Sequence, residues 1–411
     1  MSSLRPSPGL LLLAYLAFVS LGLPDGLLGV GWPSIRSDFA APTAAVGLLL
    51  TASTTGYLTS SVAAGFTVAR LGVGRLLTGS TALAGIALVG FSLAPGLAPM
   101  AACALLLGLA SGAIDSGLNA YAAGAFGPRH MNWLHASFGL GVALGPMIMT
   151  AVMGAGLAWR WGYGVVAVAQ LGLALAFGLT APTRSRRGTG DRDRGPSESV
   201  PVRRTLALPA VWFGSLTFAV YVAVEVSAGL WAFLLLTEGR GLDRALAGLC
   251  VSGYWGSLFV GRIVQGMVAE RLGVSRVLLG SLIGMAVGAA LVALPAPAWV
   301  AVTGLAITGF AAAPVFPLLT LTTAERVGPE HADRTIGLQI GATCLGGASL
   351  PTAIGALISR QGVEVVGPAL LVLDVLMIVL YLASTRAAAR RPRLRSVVGD
   401  DTHRQSELSQ P

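Results

Sequence analysis

An α-helix needs about 20 predominantly apolar residues to cross a bilayer. This chain of 411 residues contains twelve stretches of that kind. They run at about 10–31, 44–69, 76–95, 98–124, 132–157, 161–181, 208–236, 245–269, 277–296, 298–323, 335–359 and 365–385. Strands are excluded: the runs are long, continuous and rich in Gly and Ala, without the alternation of a membrane barrel. The first run follows only Arg5, exceeds a signal-peptide core and carries Pro24-Asp25-Gly26, so it reads as a retained span. The expectation is an all-α integral membrane protein of 12 transmembrane helices.

Composition agrees. Hydrophobic residues make up 54% of the chain and charged residues 11%, against roughly 25% charged in soluble domains. A water-soluble globule, a disordered chain, a disulfide scaffold and a nucleic-acid-binding domain are thereby set aside. Cys103, Cys250 and Cys344 each sit inside an apolar stretch, and the four histidines are scattered. Neither set has metal-ligand spacing, so no metal and no cofactor is expected. No nucleophile–base pair or phosphate loop stands out, which argues against an enzyme.

The net charge of +9 is carried by arginines, and they divide by loop. One side of the membrane holds Arg70, Arg75, Arg129, the stretch 182–205, Arg271, Arg276, Arg326, Arg334 and the segment 386–411; the other holds Arg36, Arg160, Arg240, Arg244 and Arg360. The positive-inside rule puts both termini and the 182–205 linker in the cytoplasm, as an even number of spans requires, and the protein in the inner (cell) membrane. The domain reading is a six-helix bundle over 1–181, a basic linker, a second bundle over 206–385 and a tail.

An internal repeat supports that division. Residues 65–81 and 266–282, 201 apart, share Gly65/Gly266, Arg70/Arg271, Leu71/Leu272, Gly72/Gly273, Val73/Val274, Arg75/Arg276, Leu77/Leu278, Gly79/Gly280 and Ser80/Ser281. Both copies join the second and third spans of a half, and two six-span halves in parallel repeat are the build of a rocking carrier. Gly65…Arg70-Leu71-Gly72…Arg75 and Gly266…Glu270-Arg271-Leu272-Gly273…Arg276 resemble the loop signature of the major facilitator superfamily. That pattern has an acid before the first basic residue: Glu270 fits and Ala69 does not. The resemblance implies gating roles for Arg70, Arg75, Glu270, Arg271 and Arg276.

Ionisable groups at a helix centre cost about 2.5–3.5 kcal/mol on insertion scales, so each needs a partner or a function. Asp115, in the fourth span, shares a helix face with Ser111 and Asn119 at spacings of four. It is the leading candidate for a proton-carrying group, against the bland reading of a helix-gluing hydrogen-bond cluster. Asp25 lies where Pro24 and glycines interrupt the first span. Glu225 minus 201 is position 24, so the two halves carry acids at matching depth in their first spans. Asp374, in the twelfth span, reads as structural or lipid-edge. In the fifth span Asn132 and His135 lie one turn apart, followed by Gly139, Gly141, Gly145 and Pro146. Gln339 is the neutral polar group of the eleventh span. Arg262, the one deep arginine, reads as a gate anchor.

GLPDG, GAIDSGLNAYAA and NWLHASFGLG are together similar to the fucose/galactose/glucose:proton symporter family. That resemblance implies proton coupling at Asp115 and Asp25, and sugar contacts at Asn119, Asn132 and His135. The chain has Asp at Asp115 where that family has Glu, Pro24 where it has Asn and His135 where it has Gln. With Glu225 and Gln339 added as solute contacts, the expected function is proton symport of a small polar solute, a monosaccharide, through a monomer in the lipid bilayer. The rival is a proton-coupled drug or metabolite exporter, suggested by GLGVALGP in the fifth span.

Overall fold

A computed structural model describes residues 8–125, 128–180 and 201–389. Most of the expected linker and tail, and the side chains of Asn132 and Glu270, lie outside the described residues. Those described are helical throughout, with no strand. The first half comprises α1 (Pro8–Asp38), α2 (Val46–Leu93), α3 (Leu97–Ala125), α4 (Pro128–Gly154) and α5 (Trp159–Thr180). The second comprises α6 (Val202–Leu206), α7 (Pro209–Leu234), α8 (Arg244–Leu272), α9 (Val274–Ala293), α10 (Ala298–Ala312), α11 (Val315–Leu321), α12 (Thr323–Val327), α13 (Pro329–Gln361) and α14 (Val366–Ala389). The short α6 occupies the last residues of the expected linker.

Eleven of these helices, some taken with the turns that extend them, are long and apolar enough to cross a membrane. The twelfth crossing is inside α2. Its 48 residues would stretch over about 72 Å as a straight helix, twice a bilayer, and it bends at Gly72 (φ 72°, ψ 156°). Gly273, the repeat partner of Gly72, has φ 86° and ψ 143° between α8 and α9. Both fall in backbone space that is essentially reserved for glycine. The sequence repeat therefore marks the same sharp turn in each half.

The passes alternate between two faces. The linker face holds the turns at Gly72, Gly273 and Gly328; the far face holds those at Ala40, Gly156, Gly241 and Gly362. A second repeat is visible at offset 201: Gly127-Pro128-Arg129-His130 and Gly328-Pro329-Glu330-His331. Each histidine ties its span to the entry of its own half. His130 Nδ1 meets the Tyr15 hydroxyl at 2.6 Å on α1, and His331 Nδ1 meets the Thr205 hydroxyl at 2.9 Å on α6.

The tenth crossing is broken, which its apolar pattern does not reveal. Pro314 lacks the N–H that would reach the Phe310 carbonyl. The freed Phe310 carbonyl accepts from Gln265 Nε2, and the Ala312 carbonyl accepts from the Tyr221 hydroxyl at 3.1 Å. Irregular backbone at membrane depth is tolerated where protein satisfies it.

Within the first half, α1 and α4 approach to backbone contact. A methyl at Gly141 would lie 2.0 Å from the Val19 carbonyl oxygen, and one at Gly26 would lie 2.3 Å from that of Val142. This is close packing by small residues, the membrane substitute for hydrophobic association. It gives Gly141, Gly145 and Pro146 of the GLGVALGP motif a packing role against α1.

Contacts between the halves gather toward the far face. Gly29 of α1 sits against the Gly229 carbonyl of α7, Gly47 of α2 against Thr352 of α13, and Gly248 of α8 against Thr150 of α4. Arg36 and Glu238 close the same face with an ion pair of 3.5 Å.

Candidate functional site

Asp115 is half-buried on α3 and is held by two neutral donors. The Tyr57 hydroxyl of α2 donates to Oδ2 at 2.8 Å, and Asn119 Nδ2, one turn on, donates to Oδ1 at 3.0 Å. No cation lies within 4.0 Å of this carboxylate among the described residues. Donor and acid can pair because α2 and α3 run close together: a methyl at Gly108 would lie 1.9 Å from the Ser53 carbonyl oxygen. The cluster faces the other half, since Tyr57 lies within electrostatic reach of Cys344 on α13. It also reaches α4, where His135 feels both Asp115 and Arg262.

Asp25 is exposed, yet Ser20–Pro24, Gly26, Leu27 and Gly29–Trp32 around it are buried. Leu12 and Leu16, nearer the start of α1, are exposed as well. Phe18, Gly22, Asp25 and Gly29 form one stripe; Phe18 meets the His135 ring edge-on at 5.4 Å, and Gly29 touches α7. Asp25 shares that stripe, and Tyr163 of α5, in its own half, lies within its electrostatic reach.

Glu225 holds the corresponding place on α7 and is half-buried, with Ala223, Val224 and Ser227 beside it buried. Its main-chain carbonyl accepts from the Tyr254 hydroxyl at 2.9 Å. Glu225 and Arg262 both act electrostatically on Tyr221 and Tyr254, which groups the four on spans seven and eight. Arg262 Nη1 donates to the His135 main-chain carbonyl at 3.3 Å and so joins α8 to α4 across the halves. A methyl at Gly139 would lie 3.5 Å from the same Nη1, so the glycine leaves room for the guanidinium.

Asp115, Asn119, His135, Arg262 and Glu225 are therefore linked, directly or through shared neighbours, across the two halves, and Asp25 lies on the neighbouring α1. Gln339 is not among them: it is 2% exposed, and its amide oxygen accepts from the Thr323 hydroxyl at 3.1 Å. Arg70, Arg75, Arg271 and Arg276 are exposed at the linker face, where Arg70 stacks over Phe66 at 4.0 Å. Asp374 is 0% exposed and neither carboxylate oxygen has a hydrogen-bond partner among the described residues. Of the structural and lipid-edge positions expected for it, this burial inside the second half agrees with the structural one.

Sequence reasoning missed Tyr57, whose pairing with Asp115 bridges 58 positions. It also missed the far-face corners. In the first half Asp38 accepts from Trp159 Nε1 and from Arg160 Nη1, each at 2.7 Å, while Arg160 Nη2 donates to the Ala94 carbonyl at 3.2 Å. In the second, Arg240 pairs with Glu364 at 2.9 Å and donates to the Val292 and Leu294 carbonyls at 3.1 and 2.9 Å. Each corner ties the first, third and sixth spans of its half, with acid and base exchanged. The signal was present: these arginines are exceptions to the basic bias of the linker face.

The sequence pattern described as Major Facilitator Superfamily matches residues 14–351 and again 217–401. An uncharacterized MFS-type transporter of Yersinia pestis is 27% identical over 312 residues, 74% of this chain and 77% of that protein. Among solved structures, a mutant of the nucleoside transporter NupG superposes with a TM-score of 0.74 at 14% identity, covering 92% of this chain and 99% of that one. A bacterial homolog of the human lysosomal transporter Spinster, inward-facing and occupied, gives 0.65 at 15% identity, over 93% and 94%. At such identities the two structures speak for the fold alone.

Proposed function

Because the chain belongs to the Major Facilitator Superfamily, a family of membrane transporters, we propose that it is a proton-coupled symporter of a small polar solute of the monosaccharide class. The solute binds between the halves, as expected of a carrier built from repeats. Asp115 carries the proton and Asp25 helps couple its binding to movement of the halves. The observation that carries this reading is the Asp115 carboxylate, half-open, facing the second half and held by Tyr57 and Asn119 instead of a permanent cation. A carboxylate with neutral donors is free to alternate between charged and neutral forms, and neutralisation removes the desolvation cost that opposes closure around it. Asn119 and His135 supply hydroxyl-binding capacity; Asn132, one turn before His135, is assigned the same role. The arginine bias assigns the linker face to the cytoplasm and the far-face contacts to the outer side.

The test is uptake into proteoliposomes under an imposed pH gradient. The wild type accumulates solute against its concentration gradient; Asp115→Asn binds solute but equilibrates it without accumulation. Accumulation by Asp115→Asn at wild-type level rejects the assignment. Proton flux opposite in direction to solute flux identifies the exporter instead.

A further inference from the structure

Arg262 is a permanent cation on α8, three residues before the linker-face end of its apolar span Arg244–Gln265, and it reaches α4 of the other half. A buried guanidinium is ordinarily matched by a carboxylate, a phosphate or several carbonyls. Here it is half-buried and makes one hydrogen bond to a described residue, the His135 carbonyl. No carboxylate lies within 4.0 Å of it among the described residues. A guanidinium carries five N–H donors in a planar fork shaped for bidentate anion recognition. One is used on the neighbouring helix, which fixes the group without neutralising it.

The surroundings sort the charges. His135 on α4 lies within electrostatic reach of both Asp115 and Arg262, and Tyr221 and Tyr254 lie within reach of both Glu225 and Arg262. Asp25 lies on the α1 stripe that meets His135. The centre therefore holds one fixed positive charge, with acids held back from it on other helices.

We propose that Arg262 is the anion-binding residue of the central path, and that the transported solute carries a carboxylate: a sugar acid instead of a neutral sugar. This rests on the carrier reading above and names its substrate class. It also supplies a coupling principle. An anion at Arg262 meets unfavourable fields from Asp115 and Glu225. A proton on Asp115 removes one of those charges, so proton and anion strengthen each other's binding, as linkage requires.

The experiment measures binding and flux separately, on the purified full chain, with hexuronates and aldonates set against the matching hexoses. Binding is read from ligand-induced thermal shift, and flux from proteoliposomes under a pH gradient. Expected is binding of an acid in preference to its hexose. Arg262→Gln then weakens acid binding about 10- to 100-fold, the range for a lost charge-assisted hydrogen bond, well beyond any change in hexose binding. Arg262→Lys recovers part of the preference. If Arg262 were only a strut between the helices, Arg262→Gln would alter acid and hexose alike; that result overturns the proposal. So does preference for the hexose, or no acid binding at all. Acid binding with normal Arg262 dependence but without pH-driven accumulation supports the anion site and rejects the symport reading instead.

Discussion

Single residues carry unequal shares of this molecule's polarity. Asp115 has two donors, a half-open position and neighbours in the opposite half. Asp374 has complete burial and no donor among the described residues. Both are acids within apolar spans, and they should respond oppositely to replacement. A buried polar group without partners costs about 1–3 kcal/mol. Asp374→Leu is therefore expected to stabilise the protein by up to about 1–3 kcal/mol, read as a higher thermal midpoint in detergent, with transport retained. A fall in the midpoint would mean that the acid is satisfied in the membrane by a group such as water.

At the scale of the element, glycines and prolines decide where helices turn, touch or break. Gly72 and Gly273 set the turns that fold the second span onto the third in each half. A side chain at Gly273, with φ 86°, costs on the order of 1–3 kcal/mol of backbone strain. No atom lies within 4 Å of a methyl built there, so the strain acts alone. Gly273→Val is expected to lower the thermal midpoint measurably, whereas Gly280→Val, within the same repeat but at a helical position with equally open space, is expected to leave it nearly unchanged. Equal effects would show that packing, not backbone conformation, governs the loop. The Pro314 break works differently: Gln265 and Tyr221 complete the interrupted backbone, so its cost is met by side chains from two other spans.

For the whole molecule the far face decides how the halves move. Inside each half, a charged corner joins three spans to one another and to main-chain carbonyls. Between the halves the ion pair is the longer Arg36–Glu238 contact of 3.5 Å, with Glu238 side-chain exposure of 50%. Multiply anchored corners and a single exposed cross-link suit halves that rock as bodies. Exposed pairs contribute about 0.2–1 kcal/mol, so Glu238→Gln is expected to shift the ratio of closed to open far faces up to about fivefold. Distances between spin labels at the exposed far-face positions Ser37 and Ala245 would report that shift. The charge exchange Arg36→Glu with Glu238→Arg should restore the wild-type distribution; failure to restore it removes the pair from the gate.

Membrane physics made the architecture readable without coordinates. Lipid demands apolar stretches of fixed length, arginine placement follows topology, and the repeat of Leu71-Gly72-Val73 at Leu272-Gly273-Val274 marks two related halves. Even the rarity of intramembrane acids narrowed the site to Asp25, Asp115 and Glu225. What each acid faces was decided only by packing. Rotation of a helix by one residue exchanges lipid, core and central path, and an apolar stretch is nearly blind to that rotation. Tertiary structure therefore separated Asp115 from Asp374, withdrew Gln339 behind Thr323, and brought Tyr57 and Arg262 to the centre through neighbours distant in the chain.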